Sequence, residues 1–133
     1  MNNVELVKHI YDRFACGDGA AVLEAFDPGI EFRLAEGHPY QPSGEAWVGT
    51  QAVAQHFLMK AGPEWQDWAV GIGDVIAADG AVVVECRYTG IYKPTQKSMD
   101  LQVCHVWRLA GGKITSFHQY VDTANLQEVM GQR

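Results

Sequence analysis

The stretch VWRLAGGKITSFHQYVD (residues 106–122) predicts a β-hairpin, and the fold prediction is built outward from it. Apolar and polar side chains alternate before and after Gly111-Gly112, and paired glycines are typical of a tight hairpin turn. After the turn, Phe117, Gln119 and Val121 share one face of the strand, since side chains alternate along a strand. The hairpin therefore predicts an antiparallel sheet, and its second strand places one polar side chain, Gln119, on an apolar face.

Strand patterns continue outward from this hairpin toward the N-terminus. Residues 98–109 lead into it, and residues 66–77 and 81–92 are joined by a hairpin turn at Asp79-Gly80. The first half of the chain instead shows helical spacing of apolar residues, with one alternating strand at residues 30–34. Helices followed by an antiparallel meander predict the α+β class.

Three helices are predicted before the meander, and a short one at residues 123–130 is predicted to close the chain. Their expected caps are Asn2 or Asn3, Asp18 and Thr50, because short polar side chains accept hydrogen bonds from the first helical N–H groups. Asp27-Pro28-Gly29 is predicted to end the second helix, and Gly62-Pro63 the third. Residues 35–49, rich in glycine and proline, are predicted to form a long loop of functional importance.

The composition limits the classes of protein to which the chain can belong. The chain has 133 residues, is 47% hydrophobic and carries a net charge of -6, without a Lys/Arg cluster. These features predict a single domain over residues 1–133 with no affinity for nucleic acid. No apolar run is long enough for a bilayer, no signal pattern begins the chain, and three unpaired cysteines fit a reducing compartment. We therefore expect a cytoplasmic protein with no membrane contact.

Two polar side chains interrupt the apolar faces of the predicted strands. His105 lies between Val103 and Trp107 on its strand face, and Gln119 follows Phe117 on the next strand. If the helices cover this face, both groups are buried and need partners. One interpretation is a pocket open to a ligand, and the alternative is a structural histidine and amide satisfied inside the core.

The order of elements resembles the ketosteroid isomerase-like, SnoaL-like superfamily, also called nuclear transport factor 2-like. The resemblance rests on RFACGDGAAVLEAF (residues 13–26), WVGTQAVAQHF (residues 47–57) and the hairpin at residues 106–122. It implies a cone-shaped, curved antiparallel sheet wrapped around three N-terminal helices, a cystatin-like α+β barrel with a pocket at its wide end. It also implies a homodimer through the outer sheet face, where Cys104, Val106 and Tyr120 are predicted to lie.

The catalytic groups of the steroid isomerases in this superfamily do not match this chain. The position of their carboxylate base falls near Phe32, with Arg33 beside it, and that of their oxyanion-hole Asp falls at His105. The position of their first-helix tyrosine falls at Ile10, with Tyr11 one residue away. The polyketide cyclases and epoxide hydrolases of the superfamily rely on an acidic group in the pocket; if that group comes from the last strand, its position corresponds to Gln119. The resemblance therefore predicts the fold and a pocket, but not that mechanism.

Two residues are predicted to be catalytic and nine to bind substrate. His105 is the predicted acid, base or hydrogen-bond donor to a carbonyl, because its ordinary pKa suits proton transfer near neutral pH, and Gln119 is predicted to orient it or the ligand. Glu36 or His38 could supply a base from the loop. The predicted substrate-binding residues are Phe32, Glu36, His38, Tyr40, Trp47, Phe57, Tyr88, Trp107 and Phe117.

No metal or other cofactor is predicted. Glu36, His38 and His105 match no metal-binding spacing, and GIGDVI (residues 71–76) lacks the last glycine and the helix of a dinucleotide-binding motif. The predicted function is binding of a small apolar, carbonyl-containing molecule, with an isomerase, cyclase or lyase reaction that uses His105. The alternative is a non-catalytic ligand-binding or protein-association domain, since one fold can serve both uses.

Overall fold

Six strands form one curved, open sheet in the computed structural model, which describes residues 1–133. The strands are β1 (Phe26–Arg33), β2 (Trp47–Val48), β3 (Trp65–Ala78), β4 (Ala81–Tyr92), β5 (Lys97–Ala110) and β6 (Lys113–Val121). The helices are α1 (Asn3–Ala15), α2 (Gly19–Glu24), α3 (Thr50–Val53), α4 (Met59–Ala61) and α5 (Thr123–Val129). The strand order in space is β2-β1-β6-β5-β4-β3, which confirms the predicted α+β class.

The meander β3–β6 pairs antiparallel throughout, as predicted, and its register brings the two polar residues together. Val84 of β4 lies opposite His105 of β5, which in turn lies opposite Gln119 of β6. All three side chains are buried on the inner face, which the helices cover. The alternation of apolar and polar residues therefore identified the inner face correctly, because one face of a sheet repeats every second residue.

The pairing of β1 with β6 is parallel, unlike every other pair of neighbours in the sheet. Phe32 lies opposite Phe117, and the register shifts between Phe26 and Glu31. A purely antiparallel sheet was predicted, and this pair departs from it because the chain between β1 and β6 supplies the long crossover that parallel neighbours need. β2 and β3 form the two edges, so the sheet does not close on itself.

Two of the three predicted helix caps are confirmed. Asn2 Oδ1 accepts from the Glu5 N–H at 2.8 Å, and Asp18 Oδ1 accepts from the Ala21 N–H at 3.1 Å. The third prediction is wrong, because Gly49 occupies the cap position and Thr50 is already the first helical residue.

The end of the second helix also differs from the prediction. The helix ends at Glu24, before Asp27-Pro28-Gly29, and these three residues form part of β1. Pairing of β1 with β6 resumes regularly only at Glu31, so the Pro-Gly segment lies where the ladder is irregular.

The segment between β2 and β3 is helical but irregular. α3 runs into a π-helical turn at Ala54–Leu58, then α4, then a 3-10 turn at Gly62–Glu64. π-Helical turns inside helices are rare and often occur at functional sites. None of the helices in the protein has the length and hydrophobicity needed to cross a lipid bilayer.

The predicted loop at residues 35–49 contains β2 and is held to β1 by a buried amide. Gln41 Oε1 accepts from the Leu34 N–H at 2.8 Å, and Gln41 Nε2 donates to the Phe32 carbonyl at 3.2 Å. The side chain thus satisfies the backbone at the end of β1 as a neighbouring strand would. This contact holds the start of the loop against the end of β1.

Gly73 of β3 is expected to be needed for the pairing of β3 with β4. A Cβ atom at this position would lie 2.9 Å from the Glu85 carbonyl oxygen, a backbone atom that cannot move aside by itself. Gly73→Ala is therefore expected to lower the free energy of unfolding by about 1–3 kcal/mol in chemical denaturation. Gly71→Ala is the matched control, because its Cβ would meet the Arg87 carbonyl at an ordinary 3.9 Å. Equal stabilities of the two variants would contradict this account.

Candidate functional site

An apolar cavity of about 60 Å³ lies between α1, the π-helical turn and the inner face of the sheet. Apart from His105, every residue that lines it is hydrophobic or a tyrosine. Its walls are Ile10, Tyr11, Phe14, Val22, Phe26, Phe32, Val53, Phe57, Leu58, Trp68, Val70, Tyr88, His105, Trp107 and Phe117. We call this space the inner cavity.

His105 is buried at the wall of the inner cavity with both ring nitrogens bonded to tyrosine hydroxyls. Nδ1 lies 2.6 Å from the Tyr11 hydroxyl, and Nε2 lies 2.5 Å from the Tyr88 hydroxyl. Burial disfavours the charged ring and lowers the pKa of His105 to about 3. The imidazole is therefore neutral near neutral pH, with one nitrogen donating and the other accepting.

The two tyrosine hydroxyls are in turn held by donors from β5 and β6. The Trp107 Nε1–H donates to the Tyr11 hydroxyl at 2.8 Å, and the Gln119 Nε2–H donates to the Tyr88 hydroxyl at 3.1 Å. These contacts form one continuous series, Trp107–Tyr11–His105–Tyr88–Gln119, which we call the His105 chain. It connects α1 to three adjacent strands.

The His105 chain holds one more proton than its central contacts use. Tyr11, Tyr88 and neutral His105 bring three protons to the two contacts between them, and each contact uses one. The histidine proton occupies one contact, so one tyrosine hydroxyl keeps a proton that it can donate elsewhere. Tyr88 is that donor when Nε2 of His105 is protonated, and Tyr11 is that donor when Nδ1 is protonated. Both tyrosines line the inner cavity.

The His105 chain carries no charged group. Burial raises the pKa of the Tyr11 and Tyr88 hydroxyls well above the ordinary range of tyrosine. Cys86 Sγ lies 3.9 Å from His105 Nδ1, and burial raises the pKa of this thiol to about 12, so it stays protonated. The site can therefore donate and accept hydrogen bonds, but it does not present a fixed charge or a thiolate.

A second cavity of about 100 Å³ lies beside the first, on the side of β3, α5 and the loop. Five residues line both spaces: Phe14, Phe57, Leu58, Trp68 and Tyr88. His38, Tyr40 and Gln119 add polar groups that the inner cavity lacks. We call this space the outer cavity.

His38 is a buried neutral histidine at the outer cavity. Its Nδ1 accepts from the Tyr40 backbone N–H at 3.1 Å, so the ring proton is on Nε2. Burial lowers the pKa of His38 to about 4. The Tyr40 hydroxyl donates to Glu64 Oε1 at 2.6 Å and accepts from the Trp65 Nε1–H at 2.9 Å. The loop residue Tyr40 is thereby fixed to the start of β3.

Gln119 has one buried polar atom without a partner. The residue is 1% exposed, and its Oε1 makes no hydrogen bond, whereas its Nε2 is used by Tyr88. Nearly all buried side-chain oxygens in folded proteins have a donor, so this acceptor needs an explanation.

Most of the predicted site residues lie around the two cavities. Phe32, Phe57, Tyr88, Trp107 and Phe117 line the inner cavity with His105, and His38, Tyr40 and Gln119 line the outer one. Trp47 lines neither cavity and stacks on Phe32 from behind, with ring centroids 6.1 Å apart. Glu36 is exposed and also lines neither. Glu36, His38 and His105 do not form a cluster of metal-ligating side chains.

Tyr11 is the important site residue that the sequence interpretation missed. The first-helix tyrosine of the steroid isomerases was predicted to be lost, but Tyr11 reaches the inner cavity and bonds His105. A signal was present, since Val7, Tyr11 and Phe14 recur at helical spacing and so share one face of α1. The wall residues Trp68 and Phe14 were missed as well; their rings pack edge to face with centroids 5.2 Å apart.

Comparison with protein families gives one match, to the model of the SnoaL-like domain over residues 7–117. The comparison with curated proteins found no match.

Solved structures share the whole fold. An NTF2-like protein from Burkholderia thailandensis is 28% identical, with a TM-score of 0.88 over 96% of this chain and 95% of its own. A candidate SnoaL-like polyketide cyclase from Jannaschia is 20% identical, with a TM-score of 0.84 over 98% of this chain and 92% of its own. TerC, co-crystallised with polyporic acid, is 21% identical, with a TM-score of 0.85 over 97% of this chain and 98% of its own.

The two buried histidines predict how stability depends on pH. In the unfolded chain both histidines become protonated below a pH of about 6.5. In the folded protein, His38 stays neutral down to a pH of about 4 and His105 down to a pH of about 3. Unfolding then takes up protons, so the free energy of unfolding falls as pH falls, by about 1.4 kcal/mol per pH unit for each histidine. His38→Gln is expected to reduce this slope by about that amount between pH 5 and 6, measured by urea denaturation. The exposed-site control His9→Gln should keep the wild-type slope; an unchanged slope in His38→Gln would refute the assignment.

Proposed function

The chain belongs to the SnoaL-like domain family, and from this premise we propose that residues 1–133 act as one domain that binds a small, largely apolar carbonyl compound. The observation that carries the proposal is the spare tyrosine proton of the His105 chain at the wall of an otherwise apolar cavity. A carbonyl oxygen accepts such a proton without bringing a charge into the cavity. The co-crystal of TerC with polyporic acid supports small-molecule binding in a protein of the same fold.

The proposed reaction is of the isomerase or cyclase type. In this reaction a water molecule takes the proton from the carbon beside the carbonyl, since no carboxylate lines either cavity, and negative charge develops on the carbonyl oxygen. A tyrosine hydroxyl already held by His105 and by Trp107 or Gln119 can stabilise that charge without reorganising, and the apolar walls strengthen the interaction. In this reaction His105 orients and polarises the tyrosine rather than serving as the base, because its pKa of about 3 is far below the working pH.

The second candidate function is binding without catalysis. It is favoured by the absence of any Asp or Glu side chain among the residues that line either cavity, so no strong base adjoins the ligand. Exchange of the α-protons of propiophenone in D2O, followed by proton NMR, separates the two functions. Faster exchange with wild-type protein supports the enzyme, and saturable binding without exchange supports the binder.

The hydrogen bond to the ligand carbonyl can be observed directly with propiophenone labelled with 13C at the carbonyl. Its infrared stretch is expected at lower frequency in the wild-type complex than in an alkane. In the double variant Tyr11→Phe, Tyr88→Phe, the shift should shrink and the Kd should rise by about fivefold to tenfold, because one hydrogen bond contributes about 1 kcal/mol.

Tyr92→Phe is the matched control for this measurement. Tyr92 is buried on the same strand as Tyr88 but lines neither cavity, so its removal should leave the stretch unchanged. An alkane-like frequency in the wild-type complex would show that no donor reaches the ligand carbonyl, and the proposed function would fail.

We also propose that two copies associate through the outer face of the sheet. Tyr120 is 50% exposed there, and Cys104 and Val106 on the neighbouring strand are half-buried. Tyr120→Glu is expected to shift a dimer toward monomer in sedimentation velocity at micromolar concentration, because an interface centre disfavours charge. A wild-type protein that sediments only as a monomer would contradict the proposal.

A further inference from the structure

Gln119 Oε1 is a hydrogen-bond acceptor for which the protein itself supplies no donor. Leaving such an atom buried and unpaired destabilises a protein, because the hydrogen bond that it makes to water in the unfolded chain is not replaced. An apolar side chain of similar shape would avoid this cost, and the Tyr88 contact uses only the other end of the amide. A ligand in the outer cavity, which Gln119 lines, would be the source of the donor that this acceptor lacks.

The position of this acceptor is tied to that of Tyr88. Gln119 Nε2 lies 3.1 Å from the Tyr88 hydroxyl, and Oε1 belongs to the same planar amide. When Nε2 of His105 carries the ring proton, Tyr88 accepts from both His105 and Gln119, and its own proton is free. A free O–H donor and a free amide acceptor then lie within the span of one small functional group, between the inner and outer cavities.

His38 further restricts which functional groups on a ligand would suit the outer cavity. It lines the same outer cavity, and since its Nδ1 is occupied by Tyr40, its Nε2–H is the polar group left to the ligand. A hydroxyl group can both donate to an acceptor such as Gln119 Oε1 and accept from a donor such as the His38 Nε2–H, whereas a bare carbonyl can only accept and an amide N–H can only donate.

We propose that the ligand is a hydroxylated carbonyl compound, in which Tyr88 donates to the carbonyl oxygen and Gln119 Oε1 accepts from a hydroxyl on a neighbouring carbon. This inference rests on the proposed function, since it adds a second contact to the carbonyl that the His105 chain binds. Gln119 then acts as a specificity residue: it discriminates against analogues that lack the hydroxyl, because they leave its oxygen unpaired.

Three probes of nearly equal size test the inference: propylbenzene, propiophenone and α-hydroxyacetophenone. Propiophenone adds a carbonyl to propylbenzene, and α-hydroxyacetophenone replaces the terminal methyl of propiophenone with a hydroxyl. The measured quantity is the Kd of propiophenone divided by the Kd of α-hydroxyacetophenone, obtained by NMR titration. This ratio is expected to fall about tenfold in Gln119→Met, which keeps the side-chain volume but removes the acceptor.

Gln102→Met is the matched control, because Gln102 lies on the same sheet with an exposed side chain that lines neither the inner nor the outer cavity. In Gln102→Met, the Kd of propiophenone divided by the Kd of α-hydroxyacetophenone should equal the wild-type value. Equal ratios in wild type and Gln119→Met, together with a shifted carbonyl stretch for bound propiophenone, would overturn the inference and leave the proposed function standing. An unshifted stretch, with propiophenone bound no better than propylbenzene, would instead overturn the proposed function and the inference with it.

A measurement on the wild-type protein covers the case in which Gln119→Met does not fold. The side-chain 13Cδ resonance of Gln119 reports on whether its oxygen accepts a hydrogen bond. It is expected to move on titration with α-hydroxyacetophenone and to stay in place with propiophenone. The same response to both probes would overturn the inference.

Discussion

The burial of His105 between two tyrosine hydroxyls is the constraint on which the centre of this structure depends. A neutral imidazole has one donor and one acceptor, and away from water each needs a partner. Tyr11 of α1 and Tyr88 of β4 supply them, so α1 must pack over the sheet at one depth and in one rotation. Trp107 and Gln119 then hold the two hydroxyls from the neighbouring strands.

The same constraint determines what chemistry the cavity can support. Both histidines that line the cavities are neutral, the tyrosines and Cys86 keep their protons, and no carboxylate lines either cavity. Phe32, at the position of the steroid isomerase base, stacks on Phe117 with ring centroids 4.4 Å apart and so contributes packing. The cavities thus offer neutral hydrogen bonds in an apolar surrounding, where such bonds are stronger than in water.

Individual strands show how much of the fold could be predicted from the sequence. β4 was predicted with its observed bounds, and the hairpin that contains β6 was predicted with its turn, because alternation and the Asp79-Gly80 and Gly111-Gly112 turns are local signals. The parallel pairing of β1 with β6 and the inclusion of Asp27–Gly29 in β1 were not predicted. Both depend on which distant segment lies beside β1, and neither leaves a local pattern of apolar and polar residues.

The pattern of the sequence was sufficient to place His105 and Gln119 on the inner face of one sheet, since side chains on a strand repeat every second residue. The tertiary structure was needed to show that His105 meets Tyr11, 94 positions away in the chain, and that Gln119 keeps an unpartnered oxygen. A side-chain hydrogen bond depends on distances of about 3 Å between atoms of different elements. Such distances follow from how α1 and the strands pack together, which residue spacing along the chain does not specify.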